Sequence, residues 1–331
     1  MSHPYLSAAD AARHVGVSAK ALRLYEDRGL LTPGRTPAGW RAYGPADIAR
    51  AEQIASLRKL GLSLTQVASV LSGKTSGLEP ALAAHQTALE SHLTQLTGTI
   101  DQVRSLRRQL AAGASPELYD LTPLQSPDRL ASFNLPWPWG GEHFELWVDR
   151  PLTWITGPLG SGKTRLAIRL ADAMPGGVLL GLDREATATD DAHLARVECS
   201  LDWLAEDGAT RNDALTTLIT LLEAEGPAAF VVDLIEQGLD EPTQLALAAW
   251  LRLREPGSPP IFAMTRSSAM LDLAGCRPGE TIILCPANHS TPLIVTPHAG
   301  SNGYEAVATC LAPPDVRART EGIIAFRPTA A

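Results

Sequence analysis

The stretch GVSAKALRLYEDRGLLTPGRTPAGWRAYGPADIARAEQIASLRKLGLSL, at residues 16–64, decides the fold of the N-terminal part of this chain. Ser18 can cap a helix that runs through AKALRLYEDR and stops before Gly29. Just upstream, LSAADAAR (6–13) has the pattern of another short helix, with Ser7 as its cap. Two helices joined by a glycine-containing turn predict a helix-turn-helix, whose second helix normally enters the major groove of DNA.

The same stretch resembles the MerR family of regulators. The resemblance rests on LRLYEDRGLL (22–31), GWRAY (39–43) and LRKLGLSL (57–64). It implies a winged helix-turn-helix that binds double-stranded DNA as a homodimer at a pseudo-palindromic promoter, with RNA polymerase as a further partner. The residues that it implies for DNA contact are Ser18, Lys20, Arg23, Tyr25, Trp40, Arg41 and Tyr43. Trp40 departs from the tyrosine that the family usually has in the wing.

Two of these residues have a second interpretation. Arg23 could form an ion pair with Glu26 or Asp27 instead of contacting DNA, and Tyr25 could pack partly in the core of its own domain. Most of the contacts are expected on phosphates, so DNA binding should weaken as the salt concentration rises. The base sequence that is read does not follow from these residues.

An apolar seam follows in residues 76–112. Its members are Leu89, Leu93, Leu96, Ile100, Val103 and Leu110. The first five recur at alternating spacings of four and three residues, and the last follows seven residues later. Such a heptad seam is typical of a coiled coil. The alternative is a helix that buries one side against its own domain. The MerR resemblance implies antiparallel pairing with the same helix of a second copy.

The charge of the chain is divided unevenly. Residues 1–112 carry 13 Lys and Arg against 8 Asp and Glu, whereas the remainder carries 15 against 28. A basic DNA-binding part joined to an acidic body fits this division. The domains expected are a DNA-binding domain at 1–75, a dimerisation helix at 76–112, a Pro- and Ser-rich linker at 113–129 and a second domain at 130–331.

Composition also indicates a cytoplasmic, nucleoid-associated protein with no membrane partner. No apolar run approaches the roughly 20 residues of a membrane span, and the first residues lack the apolar core of a secretory signal. The four cysteines, all late and without the spacing of a disulfide scaffold, are Cys199, Cys276, Cys285 and Cys310. Because residues 1–198 contain no cysteine, metal sensing by cysteines at the dimerisation helix is excluded.

Beyond the linker, strand-like apolar runs alternate with helical patterns. The runs are LTWIT (152–156), VLLGL (178–182), AFVVD (229–233), IFAMT (261–265) and TIILC (281–285). This alternation predicts a parallel sheet that helices cover. Between the first run and the next helical pattern lies GPLGSGKT (157–164), which fits the P-loop motif G-x-x-x-x-G-K-[ST] in its proper strand–loop–helix context.

The P-loop motif predicts a site for ATP and Mg²⁺. Its residues expected to bind the phosphates are Gly157, Gly160, Ser161, Gly162, Lys163 and Thr164. The glycines allow backbone amides to converge on phosphate oxygens at a helix N-terminus, and Lys163 reaches the β- and γ-phosphates. Thr164 and Asp233, which ends the AFVVD run, are the expected Mg²⁺ ligands, although Asp233 could be a buried structural residue.

The stretch VVDLIEQGLD (231–240) resembles the Walker-B-to-D-loop segment of ABC-type ATPases. The position of that family's catalytic glutamate holds Leu234, and the switch histidine position holds Arg266. Glu236 lies two residues further on, where it would point differently, and only Gly208 survives clearly from the signature region. Because the usual general base is missing, we expect ATP binding with at most weak hydrolysis. Arg266 could contact the γ-phosphate or form an ion pair.

Two further clusters have open interpretations. Trp137 and Trp139 lie about as far before the P-loop lysine as the aromatic residue on which ABC-type domains stack adenine, but core packing is the alternative. The segment CPANH (285–289) has a spacing that could ligate zinc, although ordinary buried cysteines explain it as well.

The expected fold class is multidomain: an all-α winged helix-turn-helix with a long dimerisation helix, followed by an α/β P-loop NTPase domain similar to ABC ATPases. The expected function is a MerR-type transcription regulator whose C-terminal domain binds ATP and Mg²⁺ and modulates promoter binding or distortion. The alternative is an active NTPase or phosphotransferase that a MerR-like domain tethers to DNA. A third possibility is an architectural DNA-binding factor. Leu234 and Arg266 count against the enzyme.

Overall fold

We describe the fold from a computed structural model of the 331-residue chain. The structure describes residues 5–75, 78–111, 130–148, 150–186, 190–254, 258–277 and 279–319. The predicted linker at 113–129 lies outside the described residues. On either side of it the chain forms a helical N-terminal domain and an α/β C-terminal domain, as the sequence predicts.

The N-terminal domain consists of four helices and a short hairpin. In chain order these are α1 (Ala8–Val15), α2 (Ala19–Asp27), β1 (Gly34–Arg35), β2 (Arg41–Ala42), α3 (Pro45–Lys59) and α4 (Leu64–Leu71). Both predicted caps are confirmed, since the hydroxyls of Ser7 and Ser18 accept hydrogen bonds from the amides of Asp10 and Ala21. The antiparallel hairpin of β1 and β2 occupies the position of the predicted wing.

The core of this domain forms where α1, α2 and α3 meet. Leu22 of α2 is fully buried there, together with Ile54 of α3 and Leu62. Gly16 ends α1 in the left-handed conformation, with φ of 73°, which turns the chain directly into α2. The sharp turn therefore sets the angle at which α2 leaves the core.

A long helix, α5 (Leu78–Ala111), follows the N-terminal domain. Its described seam residues are open to solvent, with exposed fractions of 55% for Leu89, 64% for Leu93, 48% for Ile100 and 39% for Val103. The side chains of Leu96 and Leu110 lie outside the described part. The alternative that this side of the helix is buried against its own domain is therefore wrong for these four residues.

The C-terminal domain is built on a six-stranded sheet. Its elements are β3 (Leu130–Asn134), β4 (His143–Trp147), β5 (Leu152–Thr156), α6 (Lys163–Ala173), β6 (Gly177–Leu180), α7 (Asp191–Glu206), α8 (Asp213–Leu222), β7 (Ala229–Val232), α9 (Glu241–Leu251), β8 (Ile261–Met264), β9 (Glu280–Leu284), β10 (Leu293–Val295), α10 (Tyr304–Cys310) and α11 (Pro314–Ala318). The sheet order is β10-β9-β5-β8-β7-β6, and only β10 runs antiparallel to its neighbour. The five predicted strands and their parallel arrangement are confirmed.

Apolar cores cover both faces of this sheet. Along β5, Trp154 packs into one core and its neighbour Ile155 into the other, because successive side chains of a strand point to opposite faces. One core includes α7, α8 and α9. The other includes α6 and the hairpin of β3 and β4, which the apolar runs did not predict. Among the described residues, no helix is both long and apolar enough to cross a membrane.

A buried polar network ties β5 to β9. The Glu280 carboxylate accepts a hydrogen bond from the Trp154 indole at 2.6 Å and from the Arg252 guanidinium at 2.9 Å. Side-chain exposure is 12% for Arg252 and 4% for Glu280, so this pair is shielded from water. Shielded pairs are costly to break because the remaining partner keeps its charge without compensation.

We expect Glu280→Ala to lower the free energy of unfolding of the C-terminal domain by about 3–5 kcal/mol, because Arg252 would remain buried without its partner. Urea denaturation followed by circular dichroism measures this loss. The matched control is Glu198→Ala, whose pair with Arg211 is exposed and screened by water, so its loss should be far smaller. Equal losses in the two variants would contradict the prediction.

Candidate functional site

Two residues expected to contact DNA are exposed. Trp40 in the hairpin has an exposed fraction of 75%, and Arg23 lies on the solvent side of α2. The predicted alternative for Arg23, an ion pair with Glu26 or Asp27, does not occur among the ion pairs of the described residues. Glu26 instead binds Arg35 at 3.2 Å and also pairs with Arg41. Arg23 is therefore available for an external contact.

The assignment of Tyr25, Tyr43 and Ser18 to DNA contact needs correction. Tyr25 and Tyr43 have exposed fractions of 5% and 0%, and both belong to the buried apolar cluster of the N-terminal domain. Burial also raises the pKa of Tyr25. Ser18 is 6% exposed and its hydroxyl already caps α2. The second interpretation of Tyr25, that it packs in the core, is therefore correct.

The Arg41 side chain makes a contact within its own domain. Its guanidinium donates to the Glu26 carboxylate, and this hydrogen bond raises the pKa of Arg41. The pair joins the hairpin to α2, since Glu26 belongs to that helix. Arg41 therefore sets the position of the hairpin relative to the helix, whatever it contacts outside the chain.

The C-terminal domain packs against the side of α2 that carries Lys20. The Lys20 ammonium donates to the carbonyl oxygen of Ser268 at 2.5 Å, instead of facing solvent. Leu24 lies on the same side of the helix and lines a cavity shared with the C-terminal domain. In this arrangement α2 is held between its own core and the second domain, with Arg23 on the free side.

A buried ion pair forms the centre of the contact between the domains. Arg58, near the end of α3, donates to both carboxylate oxygens of Asp207, at 2.5 and 2.9 Å. Asp207 also accepts the amide hydrogen of Leu64 at 2.9 Å, so it satisfies an amide at the start of α4. Burial raises the pKa of Asp207 even though the charge of Arg58 opposes this shift.

Further contacts surround this ion pair. The Trp203 indole donates to the carbonyl of Gly61 at 2.9 Å, and the Ser63 hydroxyl donates to Glu206 at 2.6 Å. Gly208 has φ of 104°, and a Cβ atom there would lie 1.4 Å from the guanidinium of Arg28. A side chain at this position would be strained by the left-handed backbone, and the end of the Arg28 side chain would have to move aside.

The glycine-rich loop at 157–164 joins β5 to α6, as the motif predicts. Gly162 has φ of 93° and immediately precedes α6, so backbone amides of the loop lie at the N-terminus of that helix. A Cβ atom on Gly157 would lie 2.3 Å from the carbonyl oxygen of Cys285. Ser161 is buried, and Gly160 has φ of 78°. The three glycines thus occupy positions that a side chain would obstruct or strain.

The two residues expected to ligate a metal ion lie side by side. The Thr164 hydroxyl donates to Asp233 Oδ2 at 3.0 Å, which joins the start of α6 to the end of β7. The Arg184 guanidinium donates to the carbonyl oxygens of Asp233 and, at 2.8 Å, of Leu234. A hydroxyl and a carboxylate at this separation are suited to share one hard divalent cation.

The ammonium of Lys163 lies inside the loop. It donates to the carbonyl oxygens of Gly157 at 2.9 Å and Pro158 at 2.7 Å. Burial lowers the pKa of Lys163 to about 8, and the nearby charge of Arg266 acts in the same direction, whereas Cys285 opposes it. The charge of Arg266 is therefore near enough to be felt by the Lys163 ammonium.

No carboxylate occupies the position of a general base beside Asp233. Leu234 stands there in the left-handed region, with φ of 40°, an unusual conformation for a non-glycine residue. Glu236 is 5% exposed, pairs with Arg317 and accepts the amide hydrogen of Arg266 at 3.2 Å. Both contacts are made through Glu236 Oε1, whereas its buried Oε2 atom has no hydrogen-bond partner in the described part of the chain.

The two tryptophans before the loop have different environments. Trp139 is 5% exposed, donates to the carbonyl of Ser290 at 3.0 Å and packs against Gly162. Its assignment as an adenine platform is therefore corrected to a core residue beneath the loop. Trp137 is 62% exposed and keeps an open aromatic surface.

Among the described residues, the late cysteines and histidines do not come together as a metal site. In the described part of the chain, no group of three or more His, Cys, Asp or Glu side chains is arranged to hold a metal ion. Cys285 is fully buried, and burial raises its pKa to about 12. A buried thiol is thus the better description of Cys285 than a zinc ligand.

Comparison with known proteins identifies the N-terminal domain. Residues 6–74 match the MerR HTH family regulatory protein profile. A probable heavy metal-dependent transcriptional regulator of Haemophilus influenzae is 33% identical over 110 residues, which are 32% of this chain and 82% of that protein. The chain belongs to the MerR family. Further similarity reaches the HTH-type transcriptional repressor CarH of Myxococcus xanthus, which is 40% identical over 74 residues.

This similarity is confined to the N-terminal third of the MerR-family chain. The chain spans 25% of the length of the CarH repressor and 41% of the nodulation protein NolA of Bradyrhizobium. HiNmlR, a MerR family regulator solved with promoter DNA, aligns with 33% of this chain at 23% identity and a TM-score of 0.26. A bacterial Atm1-family ABC exporter with ATP bound aligns with 84% of it at 15% identity and a TM-score of 0.34.

The interdomain residues were missed by sequence reasoning. Arg58 lies within LRKLGLSL, a stretch that indicated the MerR resemblance and gave no sign of a contact with the second domain. Its partner Asp207 is 149 positions away, and Trp203 is 142 positions from Gly61. The one available signal was Gly208, retained in the predicted signature region, whose neighbour Asp207 makes the contact. Its role here is to pack against the N-terminal domain.

We expect Asp207→Ala to loosen the contact between the domains, because Arg58 and the amide of Leu64 would lose their partner. Hydrogen exchange of amides at the start of α4 should accelerate by at least about tenfold. The control is Asp202→Ala, at an exposed position on α7, the helix that ends just before Asp207. This variant should leave the exchange rate unchanged. Unaltered exchange in Asp207→Ala would show that the ion pair does not hold the domains together.

Proposed function

We propose that this MerR-family protein is a dimeric transcription regulator whose C-terminal domain binds ATP and Mg²⁺ and thereby controls access of α2 to promoter DNA. The observation that carries the proposal is the hydrogen bond from Lys20 to Ser268. It joins the predicted recognition helix to the segment that follows β8, and Arg266 in that segment lies beside the glycine-rich loop. One segment therefore contacts the predicted recognition helix and also carries a charge that acts on Lys163.

The case for nucleotide binding rests on the loop at 157–164 and on the contact between Thr164 and Asp233. A triphosphate with its metal ion would supply negative charge that the loop amides and Lys163 can neutralise. Lys163 would exchange its bonds with the loop carbonyls for bonds with phosphate oxygens. Thr164 and Asp233 would ligate Mg²⁺ in place of their mutual hydrogen bond. The exposed ring of Trp137 is the proposed surface for adenine.

Coupling between the two sites follows a short series of contacts. Asp233 directly follows β7, and three positions later Glu236 accepts the amide hydrogen of Arg266. Two positions beyond Arg266, the carbonyl of Ser268 accepts from Lys20. If Arg266 turns to a γ-phosphate, this segment shifts and the hydrogen bond to Lys20 breaks. Lys20 and its side of α2 then become free to contact DNA phosphates.

Slow turnover is part of the proposal. Leu234 carries no group that could take a proton from water, and Glu236 is already engaged by Arg317. A site that binds ATP without cleaving it quickly reports the nucleotide state for as long as the nucleotide is bound. These residues count against the alternative of an active NTPase tethered to DNA.

Dimer formation is proposed through α5. Leu89, Leu93, Ile100 and Val103 expose an apolar seam at heptad spacing, and a second copy of the same helix is the partner that such a seam fits. Two paired chains would present two α2 helices to the two halves of a pseudo-palindromic site.

The proposal is tested with full-length protein and DNA fragments that the protein itself enriches from genomic DNA. We expect ATP with Mg²⁺ to raise the affinity for these fragments by at least about fivefold over the nucleotide-free protein, since couplings of this kind span about 1–3 kcal/mol. Lys163→Ala should abolish the ATP effect and leave basal DNA binding intact. Arg23→Ala should lose DNA affinity and keep ATP binding. Equal affinity with and without ATP would refute the proposed coupling.

The pH dependence of ATP binding tests the role of Lys163 separately. Because its pKa is lowered to about 8, a growing share of the side chain is neutral above that pH, and only the ammonium pairs with phosphate. ATP affinity, measured by calorimetry at constant Mg²⁺, should be highest below the lowered pKa and fall as pH rises through it, by at most about tenfold per pH unit. Lys163→Arg stays protonated and should lose this dependence. A flat profile in the unmodified protein would contradict the assignment.

A further inference from the structure

A cavity of 560 Å³ lies between the two domains, away from the glycine-rich loop. Residues of α2 and α3 line it on one side, and residues of α9 and of segment 269–277 line it on the other. Its volume falls within the range of pockets that hold small organic ligands, about 300–1,000 Å³. The nucleotide site proposed above does not use any of its walls.

The lining of this cavity is largely apolar, and most of the charged side chains on it are basic. The charged side chains that line it are Lys20, Arg58, Lys59, Arg252, Arg277 and Asp272. Five of them are basic and one is acidic, although the C-terminal domain as a whole is acidic. Several like charges around one partly open space repel one another, so an anion in that space would be attracted by basic residues of both domains.

Only part of this positive charge is compensated within the chain. Arg58 pairs with Asp207, and Arg252 pairs with Glu280, both outside the cavity. Arg277 forms none of the ion pairs found among the described residues, and the same is true of Lys59. Burial first, and then the nearby charges of Arg252 and Arg58, lower the pKa of Arg277, while Glu280 and Tyr25 act in the opposite direction.

We propose that this cavity is a second ligand site, which binds a small anion with two or more phosphate or carboxylate groups between Arg277 and the basic residues of α2 and α3. Guanidinium groups bind both kinds of group through paired hydrogen bonds, so the shared chemistry of the ligand is its multiple negative charge. Tyr25 and Cys276 also line the cavity.

The position of the site gives its ligand a defined effect. Lys20, Arg58 and Lys59 belong to the DNA-binding domain, whereas Arg252 and Arg277 belong to the C-terminal domain. A bound anion contacts both groups and favours the arrangement in which the domains are docked. The site therefore opposes the release of α2 and acts independently of whether the glycine-rich loop binds ATP.

Calorimetry on full-length Lys163→Ala protein tests the site, because that background removes the cation with which the glycine-rich loop would bind phosphate. The probes are pyrophosphate and citrate, which separate a phosphate ligand from a carboxylate ligand. We expect one of them to bind with 1:1 stoichiometry. Adding Arg277→Gln should weaken this binding by at least about tenfold, because a charge-assisted contact is lost.

Arg319→Gln is the matched control, since it removes the same charge at an exposed position outside the cavity and should not change the affinity. Lys59→Gln, at an exposed position in the cavity, should weaken binding several-fold and covers the case in which Arg277→Gln misfolds. No binding of either anion at millimolar concentration would overturn the proposal. So would equal affinity in the Arg277→Gln, Lys59→Gln and control proteins.

Discussion

The buried ion pair of Arg58 and Asp207 determines how the two domains of this protein are related. Asp207 receives two hydrogen bonds from the guanidinium and one from the amide of Leu64, so its charge is compensated by groups that all belong to the N-terminal domain. A carboxylate shielded from water to this degree is unfavourable without such partners. The C-terminal domain can therefore leave the N-terminal domain only if Asp207 reaches water or takes up a proton.

When the domains are docked at this ion pair, two sides of α2 are covered, one by the core of its own domain and one by the C-terminal domain. Leu22 and Tyr25 pack into the core, and Lys20 lies against the C-terminal domain. The helix that the MerR family uses to reach DNA is thus also a structural link between domains. Regulation in such an arrangement needs no long pathway, because the helix and the C-terminal domain are in direct contact.

The polar groups of the glycine-rich loop are held in place by contacts within the chain. Loop carbonyls hold the Lys163 ammonium, and Asp233 holds the Thr164 hydroxyl, so the groups are positioned before any ligand is present. Beside them, Leu234 adopts a left-handed conformation in the position where a general base would otherwise stand. Preorganised binding groups next to an inert side chain favour occupancy over chemistry.

By itself the sequence determined what depends on neighbours in the chain: the caps at Ser7 and Ser18, the five parallel strands, and the loop at 157–164 between strand and helix. These follow from local hydrogen bonding and from apolar periodicity. Only the tertiary structure decided that Tyr25, Tyr43 and Trp139 are core residues, that Lys20 faces Ser268, and that Arg58 meets Asp207. Such outcomes depend on which surfaces meet in space, and residues about 150 positions apart carry no periodic signal of their contact.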